Sequence, residues 1–570
     1  MMKAITVSTP GKALLVGGYC VLEAPNPGLV FATDSCFHVT ISTRPIYQQI
    51  DPQNKTNDND GVLENYLRCP VDVYSPQFHQ VYCYFLYLNE KLCEGSHDTL
   101  LLRIEPRHSD QPLNPYVQKA LLMALTYVHE TSDHLAQYIS NLGCHSPNEA
   151  LAIRLLADND FYSSLGYMKA NNLPISPHTV STLPPFLPCP KDEDGRAIVN
   201  KTGLGSSATL VSSLVGAILV HFQVVDLEKD DKKGRAVLHN LAQIAHSLVQ
   251  GKIGSGFDVS AALYGSHIYT RFNPIVIKDI LACLEQDLNQ AEDSLTIQTV
   301  TARKLVQVVQ DKRGAWNSIV EPLAMPKGLE MMMADVCGGS ESPSMARKVI
   351  QWKRERLSAV DEDKTVEERS DLWELLLEEN LKIKALFEKG FNVEIPSIMN
   401  TKEIASLNRL KEDELKQLAI DIQTETLDAS DFHDIKKNLK TITIPFIAAL
   451  RHSFIQARSY LKQIGEAANV PIEPDEQTDL ANLTMDVPGV IAAGVPGAGG
   501  YDALYVIYIQ RERNIMDGKD VTRGEIGRVW EEWCFNMGAK GRKGVVCPLK
   551  CQSIGFGAAY GLHQRELEWS

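Results

Sequence analysis

The run Lys201-Thr202-Gly203-Leu204-Gly205-Ser206-Ser207-Ala208-Thr209 passes without a break into the apolar stretch 210–225. No other segment limits so strongly what the chain can fold into. Glycines tolerate positive φ and let successive N–H groups point to one side, and the start of the helix that the apolar stretch predicts adds roughly half a positive charge. Together they predict a cradle for a phosphate-like anion. Ser206 and Ser207 add hydroxyls suited to a phosphate oxygen or a divalent cation. On its own, the run also reads as a tight turn with a serine helix cap. The apolar stretch carries Ser212, Ser213, His221 and Gln223 and is too short to span a bilayer, so it predicts a buried helix.

Two other loop readings compete. Gly195, Asn200, Lys201 and Thr202 come within one residue of a Walker loop, but Asn200 stands where the second glycine is needed and no strand precedes it. The run from Gly203 to Ala208 also fits G-x-G-x-x-A, with Asp226 at a distance suited to a ribose contact. That fingerprint usually opens a βαβ repeat, which is hard to find here.

Three further segments carry chemistry. In Gly251-Lys252-Ile253-Gly254-Ser255-Gly256-Phe257-Asp258, three glycines deliver a carboxylate to the start of a short helix over 259–263, the presentation expected of an active-site acid. An ordinary capping aspartate reads the same way. Ser8-Thr9-Pro10-Gly11-Lys12 sets a lysine in apolar surroundings, where it either snorkels or serves an anion. Gly494-Val495-Pro496-Gly497-Ala498-Gly499-Gly500-Tyr501-Asp502 makes a turn that lets backbone approach a ligand or another strand closely.

Composition narrows the partners. A net charge of −15 argues against broad nucleic-acid binding, so an anionic ligand must meet a local basic pocket. The twelve cysteines are scattered, without paired knuckles, and read as reduced thiols; Cys547 and Cys551 read as packing residues. Residues 1–10 lack a secretory pattern and the end Glu568-Trp569-Ser570 is no peroxisomal address. The cytoplasm, with no membrane partner, is the expected location.

Along the chain, 4–8 alternates like a strand, Pro10-Gly11 is expected to turn it, and 30–41 reads as a strand pair. Residues 50–61 and 176–196 read as loops. Helical spacing marks 115–140, 147–156, 210–225 and 236–249. Pro322, Pro326 and Gly328 punctuate a break, after which 329–336 reads as a strand. Residues 347–389 and 402–427 read as charged, solvent-facing helices and 443–468 as a further helix, with 490–493 and 503–509 as strands. The expected organisation is an α/β unit over 1–325 and a second over 326–570.

In order and spacing the four glycine-rich segments resemble the signature motifs of the galactokinase, homoserine kinase, mevalonate kinase and phosphomevalonate kinase (GHMP) superfamily. Asp335-x-x-Gly338-Gly339-Ser340 and Ile472-Glu473-Pro474-x-x-Gln477-Thr478 make the chain similar to its fungal-type phosphomevalonate kinases over most of its length. This resemblance implies an α/β (α+β) fold of two domains, the first like domain 2 of ribosomal protein S5 and the second ferredoxin-like. It implies transfer from ATP to (R)-5-phosphomevalonate with Mg²⁺, Lys12 and Asp258 being catalytic. ATP would lie on Lys201, Thr202, Gly203, Leu204, Gly205, Ser206, Ser207, Ala208 and Thr209, with Ser207 on the metal. Lys252, Ser255, Ser340, Gly497, Ala498 and Gly499 would hold the acceptor. Mevalonate kinases carry a Glu upstream of the catalytic Asp, whereas His246-Ser247-Leu248-Val249-Gln250 has no carboxylate, leaving the second metal ligand open.

For such an acceptor the obstacle is repulsion rather than basicity. A phosphate monoester has its second pKa near about 6 and is largely ionised at neutral pH. Two groups of charge about −2 at about 4 Å repel by about 16 kcal/mol at an effective dielectric of roughly 20. A cation cluster of Mg²⁺, Lys12, Lys252 and Lys201 is therefore expected, with Asp258 positioning Lys12 or the acceptor. A kinase for mevalonate or another small alcohol, a non-catalytic nucleotide or metabolite sensor and a dinucleotide oxidoreductase stand as the other readings.

Overall fold

The computed structural model of the protein describes residues 4–47, 66–89, 100–108, 111–229, 232–289, 294–336, 342–358, 371–390, 413–414, 443–509, 520–539, 544–557 and 559–567. The chain opens with β1 (Ile5–Val16), β2 (Pro27–Pro45), β3 (Tyr66–Ser75), β4 (Gln80–Asn89) and β5 (Leu100–Pro106). There follow α1 (Pro115–Thr131), α2 (His134–His145), β6 (Glu149–Ala157), α3 (Leu165–Ala170), α4 (Pro177–Thr182), α5 (Ser206–His221), α6 (Lys232–Gln250) and α7 (Phe257–Tyr264). Next come β7 (His267–Thr270), α8 (Ile275–Leu288), β8 (Leu295–Gln298), α9 (Thr299–Gln310) and β9 (Ile319–Pro322). The remainder holds β10 (Leu329–Asp335), α10 (Ser342–Ser358), α11 (Leu372–Gly390), α12 (Ile444–Ala468), α13 (Asp475–Met485), β11 (Val490–Gly494), β12 (Ala503–Ile509), α14 (Val521–Ala539), β13 (Cys547–Pro548) and β14 (His563–Arg565).

These elements make a mixed α/β fold on two sheets. The first has ten strands, in the order β14-β1-β2-β6-β3-β4-β5-β8, with β7 on β2 and β9 on β7. Among the described residues, β3 and β6 are the one parallel pair of this sheet. Helix α5 lies almost wholly buried against β1 and β2, with α1, α6 and α7 around it. Helix α1 begins where the Asn114 side chain accepts from the N–H groups of Tyr116 and Val117, with Pro115 needing no such partner.

The second sheet, β11-β12-β10-β13, is antiparallel throughout. Its alternation supplies both faces. Met331 and Met333 of β10, with Tyr505 and Ile507 of β12, join the main core, while Met332, Ala334, Leu504 and Val506 join Trp530 and Trp533 of α14. Phe387 of α11 meets Phe31 of β2 edge to face, with ring centroids 5.5 Å apart, and so ties the helical layer to the first sheet.

The segment after β13 returns to the first sheet. Gln552 N–H donates to Asp34 Oδ1 at 2.8 Å, Ile554 N–H to Ala32 O at 2.9 Å, and β14 pairs with β1 from Thr6 to Ser8.

Several local expectations give way. Pro10-Gly11 does not turn the chain: β1 runs through it, with a register shift against β2 between Pro10 and Lys12. A Cβ on Gly11 would lie 2.9 Å from Thr33 Oγ1, so the glycine permits close packing at the bulge. Residues 30–41 belong to one long strand, β2, rather than a pair. Residues 147–156, expected helical, supply most of β6, which lies between β2 and β3 and is almost entirely buried. A strand buried on both faces shows a continuous apolar run that periodicity cannot tell from a helix. The helical stretch 115–140 breaks at Ser132-Asp133 into α1 and α2, and 176–196 includes the short helix α4. Helix α11 is not simply solvent-facing, for Trp373, Leu376, Ile383 and Phe387 are buried. The stretch 50–61, and 402–427 apart from 413–414, lie outside the described residues.

Candidate active site

The bulge in β1 places Lys12 against the glycine run. Lys12 N–H donates to Leu204 O at 3.1 Å, and Lys12 Nζ donates to Gly203 O, also at 3.1 Å. Gly203 and Gly205 have φ of 83° and 81°, and Gly205 caps α5. A Cβ on Gly205 would come within 2.8 Å of Lys12 Cε, so any other residue at this positive φ would push the lysine side chain from its place. At the start of α5 the N–H groups of Ala208 and Thr209 donate to Gly205 O, both at 3.1 Å, and the N–H groups ahead of them have no carbonyl partner in an α-helix.

Asp258 stands in the first turn of α7 behind Gly256, whose φ is 85°. Its Oδ1 accepts from the N–H of Val259 at 3.0 Å. The glycine loop before it is held from below: Gln243 Nε2 donates to Gly256 O at 2.7 Å, Tyr269 Oη to Ser255 O at 3.0 Å and Arg271 Nη2 to Gly254 O at 2.6 Å. Asp258 and Lys12 are electrostatic neighbours. Burial pushes the Lys12 pKa down, and the Asp258 charge works the other way. Phe257 offers its ring to Lys12 Nζ at 5.3 Å.

A cavity of about 280 Å³ joins these groups to the second sheet. Lys12, Gly203, Lys252, Ser255 and Asp258 line it from one side and Gly497, Ala498 and Gly499 from the other. Gly497 N–H donates to Leu14 O at 2.8 Å, and Tyr19 Oη donates to Ala498 O at 2.5 Å, so the second glycine turn is fastened to β1 across the cavity edge. Among the expected acceptor contacts, Ser340 lies outside the described residues.

Ser206 and Ser207 face a second cavity of about 310 Å³, walled by Phe78, Tyr82, Tyr116 and Tyr162. Lys201 belongs to this cavity rather than to the neighbourhood of Lys12 and Lys252, which separates it from the expected cation cluster. Thr202, Leu204, Ala208 and Thr209 are buried, and Thr209 Oγ1 donates to Ser206 O at 3.0 Å, so these four support the loop from the core side.

Ser207 sits between the two cavities, its Oγ 3.2 Å from Nε2 of His246. Burial lowers the His246 pKa; Asp258 raises it and Lys252 lowers it. Among the described residues no group of three or more His, Cys, Asp or Glu side chains is arranged to hold a metal. The Ser207 hydroxyl nevertheless suits a hard cation that takes its other oxygens from phosphates and water.

No role for Tyr19, Gln243, His246, Arg271 or the aromatic cavity was expected from the sequence. Tyr19 had a local signal, for the lysine segment runs on from Lys12 through Ala13-Leu14-Leu15-Val16 to Gly17-Gly18-Tyr19.

Comparisons with known proteins give the family. Residues 174–266 match the family model of the GHMP kinases N terminal domain. The peroxisomal phosphomevalonate kinase of Arabidopsis thaliana is 30% identical over 528 residues, 88% of this chain and 90% of that protein. The phosphomevalonate kinase of Aspergillus fumigatus is 30% identical over 537 residues, 90% of this chain and 88% of that protein. The solved structure of Streptococcus pneumoniae phosphomevalonate kinase in complex with phosphomevalonate and AMPPNP is 13% identical, with a TM-score of 0.43 over 93% of this chain and 97% of that chain. With 30% identity to curated relatives over nearly the full length, and the glycine loop, Lys12 and Asp258 meeting at one cavity, the chain belongs to the GHMP kinase family, among its phosphomevalonate kinases.

Proposed function

We propose that the chain transfers the γ-phosphoryl group of ATP to (R)-5-phosphomevalonate, giving (R)-5-diphosphomevalonate and ADP. The observation that carries this reading is the meeting of Lys12, Asp258 and the carbonyl of Gly203 at one end of a cavity, in a chain so similar to phosphomevalonate kinases. ATP lies with its base in the aromatic cavity of Phe78, Tyr82, Tyr116 and Tyr162 and its phosphates over Ser206 and Ser207. The acceptor occupies the other cavity.

The chemistry asks for neutralisation and alignment. The acceptor's phosphate is already ionised near neutral pH, so no strong base is required. Lys12 opposes the charge that gathers between acceptor and γ-phosphoryl oxygens, and Asp258 keeps the lysine protonated against the cost of its burial. Ser207 would hold Mg²⁺, which when bound supplies further charge neutralisation on the phosphates. Neutral His246 hydrogen-bonds Ser207 and fixes its hydroxyl. The Gly497 turn, fastened by Tyr19, closes the acceptor side.

The same reading divides the chain near residue 325, between β9 and β10, into a nucleotide-binding unit and a second unit, with the β14 segment crossing back. Its compartment is the cytoplasm. Every cysteine among the described residues is a free thiol, and no described helix is long and apolar enough to cross a membrane.

A coupled ADP-release assay across mevalonate, phosphomevalonate and diphosphomevalonate tests the proposal. Turnover with phosphomevalonate alone is expected; turnover with mevalonate in its place overturns the acceptor assignment.

A further inference from the structure

Helix α10 is basic in a chain of net charge −15, carrying Arg347, Lys348, Lys353, Arg354 and Arg356 against the single acid Glu355. It is held by Met345 and Val349, which are buried in the main core, and by Lys353, which hydrogen-bonds Glu23 of the first layer and lies 4.2 Å from the Trp373 ring centroid. That packing brings Ala346 to the wall of the acceptor cavity, which the loop carrying Lys252 also lines. Arg347 follows it and is exposed, as is Lys252. The two cations sense each other, since Arg347 lowers the Lys252 pKa after burial has done so, whereas Asp258 raises it. Among the described residues no hydrogen bond or ion pair engages the side chain of either. Two like charges on facing banks of a cleft repel unless an anion sits between them.

We infer that Arg347 and Lys252 form a two-sided clasp for the acceptor's phosphate, reaching it from α10 and from the glycine loop that presents Asp258. The inference rests on the proposed acceptor and names the side chains that hold its reacting group. The phosphate suits the clasp better than the carboxylate for two reasons. Its charge of about −2 matches two cations. Lys252 also neighbours Asp258, and so the end of the cavity where Lys12 and the γ-phosphoryl group meet. Guanidinium geometry grips a phosphate through two parallel N–H bonds, which a lysine cannot copy. Arg347 is thereby a specificity-determining residue that no motif in the sequence singled out.

The test is calorimetric titration of the full chain, saturated with AMPPNP, using phosphomevalonate and mevalonate as paired ligands. For Arg347→Ala, phosphomevalonate is expected to bind about 10- to 100-fold more weakly, as befits a lost charge-assisted hydrogen bond. Mevalonate and AMPPNP binding stay within about twofold, and Arg347→Lys recovers part of the loss. Equal weakening of both acceptors, as a carboxylate contact or a displaced helix would give, overturns the clasp, and so does no change in either. Lys252→Met, on the opposite bank, is expected to show the same selective loss and serves if the α10 variants fail to fold. A wild-type chain that does not turn over phosphomevalonate defeats the proposed function itself. Normal turnover with an indifferent Arg347→Ala defeats only the clasp.

Discussion

Tyr19 Oη donates a 2.5 Å hydrogen bond to the carbonyl of Ala498, joining the turn after β1 to the glycine turn that precedes β12. Tyr19 has φ of 62°, unusual for a tyrosine, and its ring is buried. From this positive-φ corner the phenol reaches the second sheet. Tyr19→Phe is therefore expected to loosen the Gly497 turn and leave the fold intact. A neutral hydrogen bond contributes about 0.5–1.5 kcal/mol, so KM for the acceptor should rise by about 2- to 10-fold with little change for ATP. Steady-state kinetics decide it; a rise confined to the ATP KM contradicts the placement.

Lys12 and Asp258 divide the work unevenly. Lys12→Met is expected to lower kcat by roughly 10²–10³, the usual effect of removing one preorganised charge-stabilising group, and Asp258→Asn to lower it less. If the aspartate variant is the more damaged at every pH, proton abstraction governs the reaction instead.

The same pair sets the alkaline limit. Burial depresses the Lys12 pKa, so its charge is lost at lower pH than in a free lysine, and the Asp258 carboxylate opposes that loss. In Asp258→Asn the opposing charge is gone, and the alkaline limb of kcat/KM should move to lower pH. A limb that stays in place, or moves up, contradicts the coupling.

Glycines at two loop positions should behave differently. Gly205→Ala both strains a φ of 81° and drives a methyl to 2.8 Å from Lys12 Cε, so kcat/KM should fall by about 100-fold or more. Gly251, at φ 62°, has nothing within 4 Å of the added methyl, and Gly251→Ala should cost only about 1–2 kcal/mol of stability. Thermal denaturation and kinetics on both variants separate strain from displacement of the lysine.

Acid should unfold the protein through its buried imidazoles. Burial holds His221, His239 and His267 near a pKa of about 4, against 6.5 in an unfolded chain. Between those values the unfolded state binds more protons, so stability is intact above pH 6.5 and lost as pH falls toward 4. Each histidine accounts for about 3 kcal/mol of that loss. Neither ring nitrogen of His221 has a hydrogen-bond partner among the described residues. His221→Leu should accordingly flatten the decline of Tm between pH 7 and 5, and an unchanged slope would refute its part in it.

What the sequence made legible was local chemistry. Gly203, Gly205 and Gly256 adopt the positive φ that their motifs require, and the helices start where those glycines end, at Ser206 and Phe257. The strands over 329–335 and 503–509 were readable from their boundaries and β-branched or large apolar residues. What escaped was decided by distant partners. Residues 149–157 form a strand because β2 and β3 flank them, a fact absent from their own apolar pattern. Gln243 and Arg271 support the Asp258 loop through carbonyl contacts that leave no sequence trace. The aromatic cavity draws Phe78, Tyr116 and Tyr162 from three separate regions, and Lys201 turns toward it rather than toward Lys12.

The pairing of β14 with β1 brings together opposite ends of the sequence, and the Asp34–Gln552 hydrogen bonds reinforce it. The outer edge of this sheet is completed only once β14 has been made, long after β1. Until then the backbone of Thr6–Ser8 is an unpaired edge open to neighbouring chains. Premature termination upstream of that strand would therefore yield an aggregation-prone product rather than a shortened enzyme, even though every group proposed to touch ATP had already been synthesised.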